Sequence, residues 1–419
     1  MESHDDFART KVESGSTRPW WYLLIIETGV LISIPLFIIG GELGKGLTFY
    51  DLLLSTILGG VILGVIGLLT ARLGARTRCT TALIAKSTFG HNGAAIVGFI
   101  LALGMTGWWA VQTEMFTKAV IDLVFRLSGF TLSREITIAV AGALMITTAA
   151  LGIKAIGKLA YIAVPLLVLG ISYALSTLFS TSDSTQILAY VPNKPIPFGA
   201  AVGTVVGGWI VGASMNADYA RFARNTKHAI AYALAHYSFN YPLLLIVCGV
   251  MAIGFNTNDI VSHLVPPQLS WLLLVLMMLA TWAANDCNLY SSSLSLTVLT
   301  GASRAKLAIL AGIAGILLAE FRLAQNMVSF LVLLGVFIAP IGGVFIVNDS
   351  NMESEADETT AFKWVPISAW LTGAFIGVLT TPKEALGLGL FKITGISTLD
   401  AVLVAAALML LFQKIVKHR

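Results

Sequence analysis

The chain has 419 residues, of which 57% are apolar and only 11% are charged, and its mean hydropathy is +0.85. This composition excludes a soluble globular protein and favours a polytopic helical membrane protein. The formal net charge of +4 comes from basic residues scattered in short segments, so it predicts no nucleic-acid partner. The three cysteines lie far apart and predict no disulfide framework: Cys79, Cys248 and Cys287.

Apolar runs recur along the chain, and a run of about 20 residues can cross a bilayer as a helix. The first run is too long for the apolar part of a cleaved signal peptide, so we expect it to remain as the first membrane helix. The predicted fold class is all-α, with about twelve transmembrane helices. Their expected starts lie near Trp20, Leu52, Ala94, Ile136, Leu159, Phe198, Ala229, Leu269, Leu307, Val328, Trp364 and Thr398.

The order of these runs divides the chain into five parts. We expect an N-terminal tail at 1–19, five helices at 20–181, five more at 197–348, an acidic loop at 349–363 and two additional helices at 364–416. Lysine and arginine are concentrated in alternate connecting segments, beginning with the tail. This asymmetry predicts a multi-pass protein of the inner (plasma) membrane with both termini in the cytoplasm.

Glycine clusters occur in the first helix of each five-helix half. The first helix carries Pro35 and then Gly40, Gly41, Gly44 and Gly46, and the sixth carries Gly203, Gly207, Gly208 and Gly212. Interrupted helices at corresponding positions are typical of transporters that bind substrate at the midplane between inverted repeats. The alternative is that the glycines only allow close helix packing.

The motifs of membrane enzymes are missing from the sequence. It has no His-Glu-x-x-His, no P-loop and no Cys/His cluster, so we predict no enzyme activity, no metal and no cofactor. Polar residues inside the apolar runs are a better guide, because each is costly in hydrocarbon. Glu114 and Lys118, four residues apart, are expected to neutralise each other, and Asp218 and Arg221 to do the same.

Two tryptophans, Trp108 and Trp209, lie in mid-span, away from the interfacial belts where tryptophan usually gathers. Two opposed ring faces about 7 Å apart would hold one flat heterocycle by stacking. Carboxamides such as those of Gln112 and Asn285 could then bind its donors and acceptors. Ordinary core packing is the alternative for each tryptophan.

Five stretches in order along the chain are similar to the nucleobase-cation symporter family of purine-cytosine permease type. They are GGELGKG at 40–46, GWW at 107–109, ADYARFARN at 217–225, NDCNLY at 285–290 and PIGGV at 340–344. The resemblance covers about residues 20–415. It implies a leucine-transporter-like five-plus-five inverted repeat with two C-terminal helices, and import of a nucleobase by alternating access, with cytosine as the first expectation.

The same resemblance implies roles for particular residues. Trp108 and Trp209 match the aromatic pair that sandwiches the base, and Asn285 and the Gly212 amide match its polar contacts. Gln112 matches a glutamine that some relatives use. In helix 6, a serine that contacts cytosine in relatives is replaced by Val211, which leaves the base preference open.

The coupling ion is the remaining question at the level of sequence. Sodium-coupled relatives hold the cation between helix 1 carbonyls, at positions matching Gly29 and Ser33, and helix 8 side chains. The matching helix 8 positions offer no side-chain oxygen: Ala280, Ala283 and Ala284. We therefore expect proton coupling through Glu27, beside a Leu31 carbonyl that Pro35 deprives of its helical partner.

Several alternatives stay open. Glu27 could instead cap or pair with a neighbouring helix. The chain could be an uncoupled or sodium-coupled carrier of another flat heterocycle, of hydantoin, allantoin or thiamine-precursor type, or a non-transporting membrane sensor or enzyme. The expected partners are a small-molecule nucleobase, membrane lipid and H+.

Overall fold

The computed structural model describes residues 10–151, 156–181, 184–258, 260–266, 269–348 and 360–417. Its regular structure, within those ranges, is helical apart from one isolated bridge between Arg18 and Ala223. Most of the predicted acidic loop, residues 349–359, lies outside the described residues.

The helices follow the predicted apolar runs. Those of the first part are α1 (Trp20–Leu31), α2 (Ile34–Gly46), α3 (Phe49–Thr77), α4 (Thr81–Phe89), α5 (His91–Ser128), α6 (Arg134–Leu151), α7 (Ile156–Thr181) and α8 (Ser184–Leu188). Those of the second part are α9 (Phe198–Ser214), α10 (Ala217–Ala220), α11 (Thr226–Ala233), α12 (Tyr241–Gly254), α13 (Ser270–Thr300), α14 (Arg304–Glu320), α15 (Met327–Asn348), α16 (Trp364–Thr380) and α17 (Ser397–Lys417). A π-helical segment, Leu234–Asn240, joins α11 to α12.

The helices are long and apolar enough for a membrane protein. Among the described residues, six helices can cross a bilayer by length and composition, or seven if the bent pair α1 and α2 forms one span. Shorter apolar helices accompany them at Val168–Thr181, Phe198–Ser214 and Trp364–Thr380. The chain is therefore a polytopic helical membrane protein.

Two helices are broken, and both breaks border one cavity. α1 and α2 meet at an angle of 70°, and Ser33 between them is extended, with φ −141° and ψ 169°. Pro35 follows in the first turn of α2, where its missing N–H costs no helical hydrogen bond. α9 ends at Ser214, and the chain turns before the short helix α10.

The Leu31 carbonyl has no helical partner at Pro35, as predicted, but it is not left without a hydrogen bond. This carbonyl accepts a hydrogen bond from the Ser33 amide, with an N–O distance of 2.9 Å. The Thr28 carbonyl accepts from Ile32 at 3.1 Å, which is a regular helical bond of α1. The break is thus a tight turn that satisfies the Leu31 carbonyl, which sequence spacing alone does not show.

Most of the clustered glycines lie in helix contacts, which favours the packing interpretation for them, whereas Gly212 lies in the last turn of α9 beside the second break. A Cβ on Gly44 would overlap the backbone of Gly249 on α12. A Cβ on Gly207 would overlap the carbonyl of Leu331 on α15. At these positions glycine is required because two helix backbones approach closely.

The helices form two groups. In one, α5, α6, α13 and α14 pack against each other, and α5 with α13 is the most extensive pair. In the other, α2 packs on α12 and α3 packs on α9 and α11. α15 and α17 extend the second group along α9. The two groups meet around the broken helices, and the candidate site lies between them.

Candidate functional site

A cavity lies between the two helix groups. One wall comes from α5 and α13, and the other from α1, α2, α9, α10 and α12. The cavity brings together most of the residues singled out from the sequence. These are Glu27, Ser33, Trp108, Gln112, Trp209, Val211 and Gly212.

Sequence reasoning missed other residues that line the cavity. They are Tyr219, Tyr241, Cys287, Asn288 and Ser291. On α13 the three missed residues are spaced i, i+1 and i+4, so they share one helix face. A helical projection of α13 groups Asn288 with Cys287 and Ser291. The sequence alone did not show that this face, and not another, lines the cavity.

Asn285 is not part of the cavity lining. Its Nδ2 donates hydrogen bonds to the Trp109 carbonyl at 3.2 Å and the Thr113 hydroxyl at 3.0 Å, both on α5. On an ideal helix it lies about 60° around the axis from Asn288. The structure therefore gives Asn288, and not Asn285, the position facing the cavity.

The two tryptophans stand on opposite helix groups. Trp108 packs edge-to-face on Phe330, with ring centroids 5.8 Å apart. Trp209 is held between Tyr241, at 5.5 Å, and His236, at 5.2 Å. Each indole is thus fixed by aromatic neighbours while it contributes to the cavity wall, which suits a flat apolar ring face.

Two buried carboxamide atoms in this wall lack partners. Gln112 Oε1 and Asn288 Nδ2 make no hydrogen bond within the described part of the chain. Such atoms are rare in folded proteins, because an unpaired buried polar group is costly. One acceptor and one donor between aromatic surfaces are what a planar ligand with its own donor and acceptor edges would satisfy.

The Gly212 position offers a different backbone group from the expected one. α9 continues past it to Ser214, and Gly212 belongs to the last helical turn. Amides in the last turn are already bonded within the helix, whereas the carbonyls there lose their helical partners. Gly212 therefore presents a backbone acceptor more readily than a donor.

Glu27 is a carboxyl group in the cavity wall. It is 5% exposed, and its Oε2 lies 3.6 Å from Nε2 of His236. Trp209 and Tyr232 also adjoin its side chain. Gly29, two residues later, does not belong to the cavity lining.

The expected cation position contains an oxygen that the sequence reasoning overlooked. The Thr281 hydroxyl, next to Ala280, accepts a hydrogen bond from the Ile34 amide at 3.1 Å. The Ser33 carbonyl accepts from Leu36 at 3.1 Å. Each of these oxygens accepts one hydrogen bond that stabilises the turn into α2, and each keeps a second lone pair.

The predicted Glu114–Lys118 pair is wrong in its partner. Glu114 Oε1 lies 3.6 Å from an Arg134 nitrogen, and Oε2 accepts from the Ala324 amide at 3.1 Å. Glu114 therefore joins α5 to α6 and to the turn before α15.

Among the described residues no cluster of three or more His, Cys, Asp or Glu side chains is arranged to hold a metal ion.

Comparisons with known proteins show the family. The family model for permeases of cytosine/purines, uracil, thiamine and allantoin matches residues 11–393. The cytosine permease of Escherichia coli K12 is 30% identical over 383 residues, which cover 90% of each chain. The hydantoin permease of Microbacterium maritypicum is 23% identical over 370 residues, covering 81% of this chain and 74% of the relative.

Solved structures share the fold. Mhp1, a nucleobase-cation-symport-1 family transporter, in a closed conformation with bromovinylhydantoin bound, matches with a TM-score of 0.80 at 19% identity, covering 96% of this chain and 94% of that one. A Na+-coupled sialic acid symporter in an outward-open state matches with a TM-score of 0.66 at 15% identity, covering 98% and 93%.

Proposed function

The chain belongs to the nucleobase-cation symporter family, and we propose that it imports cytosine or a closely related nucleobase. It is a transporter of nucleobase or hydantoin type and not an enzyme. The observation that carries the choice of ligand is the cavity wall itself, where unpartnered Gln112 Oε1 and Asn288 Nδ2 lie among aromatic rings. The relative at 30% identity is a cytosine permease, which supports cytosine as the first base to test.

In this proposal the base stacks between Trp108 and Trp209. A ring amino group donates to Gln112 Oε1, and a ring nitrogen or carbonyl accepts from Asn288 Nδ2. These two bonds would satisfy both orphaned atoms at once, which gives selectivity because a ligand lacking either edge leaves a buried group unpaired. Asn285 supports the site from behind by anchoring α13 to α5.

Val211 bears on which base is preferred. It is buried in the cavity wall and supplies only methyl groups. A base that needs a hydroxyl at this position would bind less well here than one that presents an apolar edge. A hydantoin is the second candidate, because its ring is flat and carries two carbonyls and two N–H groups.

We infer that transport proceeds by alternating access between inverted repeats. The predicted halves, 20–181 and 197–348, each begin with a helix that is broken beside the cavity. Two further helices, α16 and α17, occupy the predicted range 364–416. Twelve spans would follow if each apolar run, including the shorter ones, crosses the membrane.

We further infer that the coupling ion is H+. Glu27 supplies a buried carboxyl group in the cavity wall, and one exchangeable proton is enough to neutralise it. A hard cation needs a shell of oxygen ligands instead. Here Ala280, Ala283 and Ala284 offer none, which leaves the Thr281 hydroxyl as the one side-chain oxygen of residues 280–284.

The direction of insertion follows from charge. The end of the molecule that holds residues 10–19 and the α3–α4 turn is rich in arginine and lysine, which favours the cytoplasmic side of the inner membrane for both termini. Substrate would then enter from the opposite end and leave beside Arg18 and Arg78.

The main test is uptake by purified protein in liposomes. Counterflow with radiolabelled cytosine, competed by a panel of uracil, hydantoin, allantoin, purines and a thiamine precursor, would identify the substrate class. We expect cytosine or a close analogue to compete best. Absence of counterflow with every member of the panel would contradict the proposal.

A native thiol reports on the same site. Cys287 lies in the cavity wall, whereas Cys248 is fully buried in α12 and Cys79 lies near the α3–α4 turn. In a Cys79→Ser background, a small polar thiol reagent should modify Cys287, and the transported base should slow that reaction. Equal rates with and without the base would place it elsewhere.

A further inference from the structure

His236 is a buried histidine with no hydrogen bond. Its side chain is 0% exposed, and neither ring nitrogen has a hydrogen-bond partner within the described residues. A neutral imidazole carries one donor and one acceptor, so two polar functions are unsatisfied. Such a group in a membrane helix points to a functional role.

A distortion of the helix places this ring. Pro242 has no amide hydrogen to offer to the Ser238 carbonyl, and the chain forms a π-helical segment over Leu234–Asn240. The Tyr241 amide bonds to the His236 carbonyl, five residues back. π-Helical turns are rare and occur frequently at functional sites.

The same segment is tied to α1 beside Glu27. Asn240 Nδ2 donates to the Thr28 hydroxyl at 2.9 Å, one residue after the carboxyl group. This bond holds α1 against the segment, and His236 Nε2 then lies 3.6 Å from Glu27 Oε2. A direct hydrogen bond would need an approach of about 0.6 Å, or one bridging water molecule.

We propose that Glu27 and His236 form one proton-binding pair, in which the imidazole is the second site for the coupled proton. The inference rests on the proposed proton-coupled transport and adds a residue to it. With one proton the pair has no net charge, whether the proton sits on Oε2 or has moved to Nε2. Removing it leaves a carboxylate, which is costly until water reaches the cavity.

Among the described residues, no Lys or Arg nitrogen lies within 4.0 Å of the Glu27 carboxyl group. The titratable groups around the pair are Tyr232 and Tyr237 beside the imidazole, Tyr241 on α12, and Tyr219 and Cys287 near the carboxyl group. Within the part of the chain that the structure describes, His236 is the basic side chain within 4.0 Å of Glu27. A proton in this region therefore has these two sites to occupy.

The ring is also connected to the second helix break. Tyr232 stacks on His236 with ring centroids 6.4 Å apart, and its hydroxyl donates to Asn216 Oδ1 at 2.9 Å. Asn216 lies between α9 and α10. Movement at that break during transport would displace Tyr232 and, through it, the imidazole of His236. The proton site is thus linked to both broken helices.

The test uses full-length protein in liposomes with the membrane potential clamped. Accumulation of the transported base is measured under a pH gradient, acid outside, and counterflow is measured without a gradient. With one proton per substrate, a gradient of one pH unit supports about tenfold accumulation in the unchanged protein. At an internal pH near neutral, His236→Gln and His236→Phe should lower this ratio towards onefold while counterflow continues. The acid midpoint of uptake should also move to lower pH, because the proton loses its second site.

Controls separate the possible failures. His228→Gln is the matched control, because His228 accepts from the Trp20 amide at an exposed position, and it should leave accumulation unchanged. Unchanged accumulation and midpoint in both His236 variants would overturn the proposal. Loss of counterflow in both would assign His236 a structural role and overturn it as well.

The two proposals fail in different ways. Counterflow without gradient-driven accumulation in the unchanged protein would remove proton coupling but leave transport. Absence of counterflow in the unchanged protein would remove transport itself. A loss of accumulation that occurs in the His236 variants, and not in the unchanged protein, is the result that tests the Glu27–His236 pair.

Discussion

Trp108 and Trp209 are fixed by different neighbours but contribute to one cavity. Stacking of a base on an aromatic side chain is worth about 1–3 kcal/mol, so Trp108→Ala and Trp209→Ala should each weaken binding by about 5- to 150-fold. Phenylalanine at either position should cost less because it keeps a ring face. Isothermal titration with the transported base measures both. Two alanine variants that bind as tightly as the unchanged protein would exclude the sandwich.

Asn285 and Asn288 form a matched pair on one helix. Asn288→Ala should flatten the ranking of competing bases in counterflow, because it removes the amide that faces the cavity. Asn285→Ala should keep the ranking and instead lower the melting temperature, because it removes the bonds to Trp109 and Thr113. The reverse pattern would return the base contact to Asn285.

At the level of single residues, the sequence predicted correctly which helices line the site. It was less successful in predicting which face of each helix lies towards the cavity. Trp108 and Gln112 lie four residues apart, so the face of α5 was fixed by spacing. On α13 two asparagines three residues apart competed, and only packing against α5 separates them. Glu114 shows the same limit, because its partners Arg134 and Ala324 are remote in sequence.

Close helix contacts give a prediction at the level of elements. Gly207 and Gly203 both face α15, but a Cβ on Gly207 would overlap the Leu331 backbone, whereas one on Gly203 would lie 3.2 Å from a Val332 methyl group. Gly207→Ala should destabilise the protein by about 1–3 kcal/mol, the usual cost of overpacking, and Gly203→Ala by less. Thermal unfolding in detergent measures both. Equal melting temperatures would mean that the α9–α15 contact relaxes.

Helix breaks were partly predictable. Pro35 marks the first one, because a proline favours the first turn of a new helix. No proline marks the turn after Ser214; of the α9 glycines Gly212 adjoins that turn, whereas Gly203, Gly207 and Gly208 lie in helix contacts. The π-helical segment had a signal in Pro242, yet a proline alone does not distinguish a kink from a π-bulge.

At the level of the whole molecule, the sequence predicted a membrane protein of many helices but not how they group. Apolar content and run length are local properties, and they follow from the cost of exposing backbone in lipid. The packing of α5 on α13 and of α3 on α9 joins residues more than a hundred positions apart. Here the family resemblance, and not periodicity, supplied the expectation of two repeats around a central site.

A hydrogen-bond network at one end of the molecule joins three segments of the chain. Arg78 follows α3 and donates to the carbonyls of Arg221, Ala223 and Arg224. Its own carbonyl accepts from the Val12 amide at 3.1 Å. Arg18 completes the contact by a two-way backbone pairing around Ala223, with its amide bonded to Phe222 and its carbonyl to Arg224. The N-terminal segment, α3 and the chain after α10 are thus joined.

Opening towards this end requires these three segments to separate, which yields the last prediction. Arg78→Ala removes three charge-assisted donors, each worth about 1.5–3 kcal/mol, so local opening should become at least about tenfold more frequent. Amide hydrogen exchange should accelerate in residues 10–18 and 221–224 and stay unchanged in α5. Arg78→Lys should have an intermediate effect, because lysine keeps the charge but not the planar fork. Arg72→Ala, an exposed position on the same helix, is the control and should change nothing. Unchanged exchange in Arg78→Ala would show that the pairing of Arg18 holds this end closed without the guanidinium.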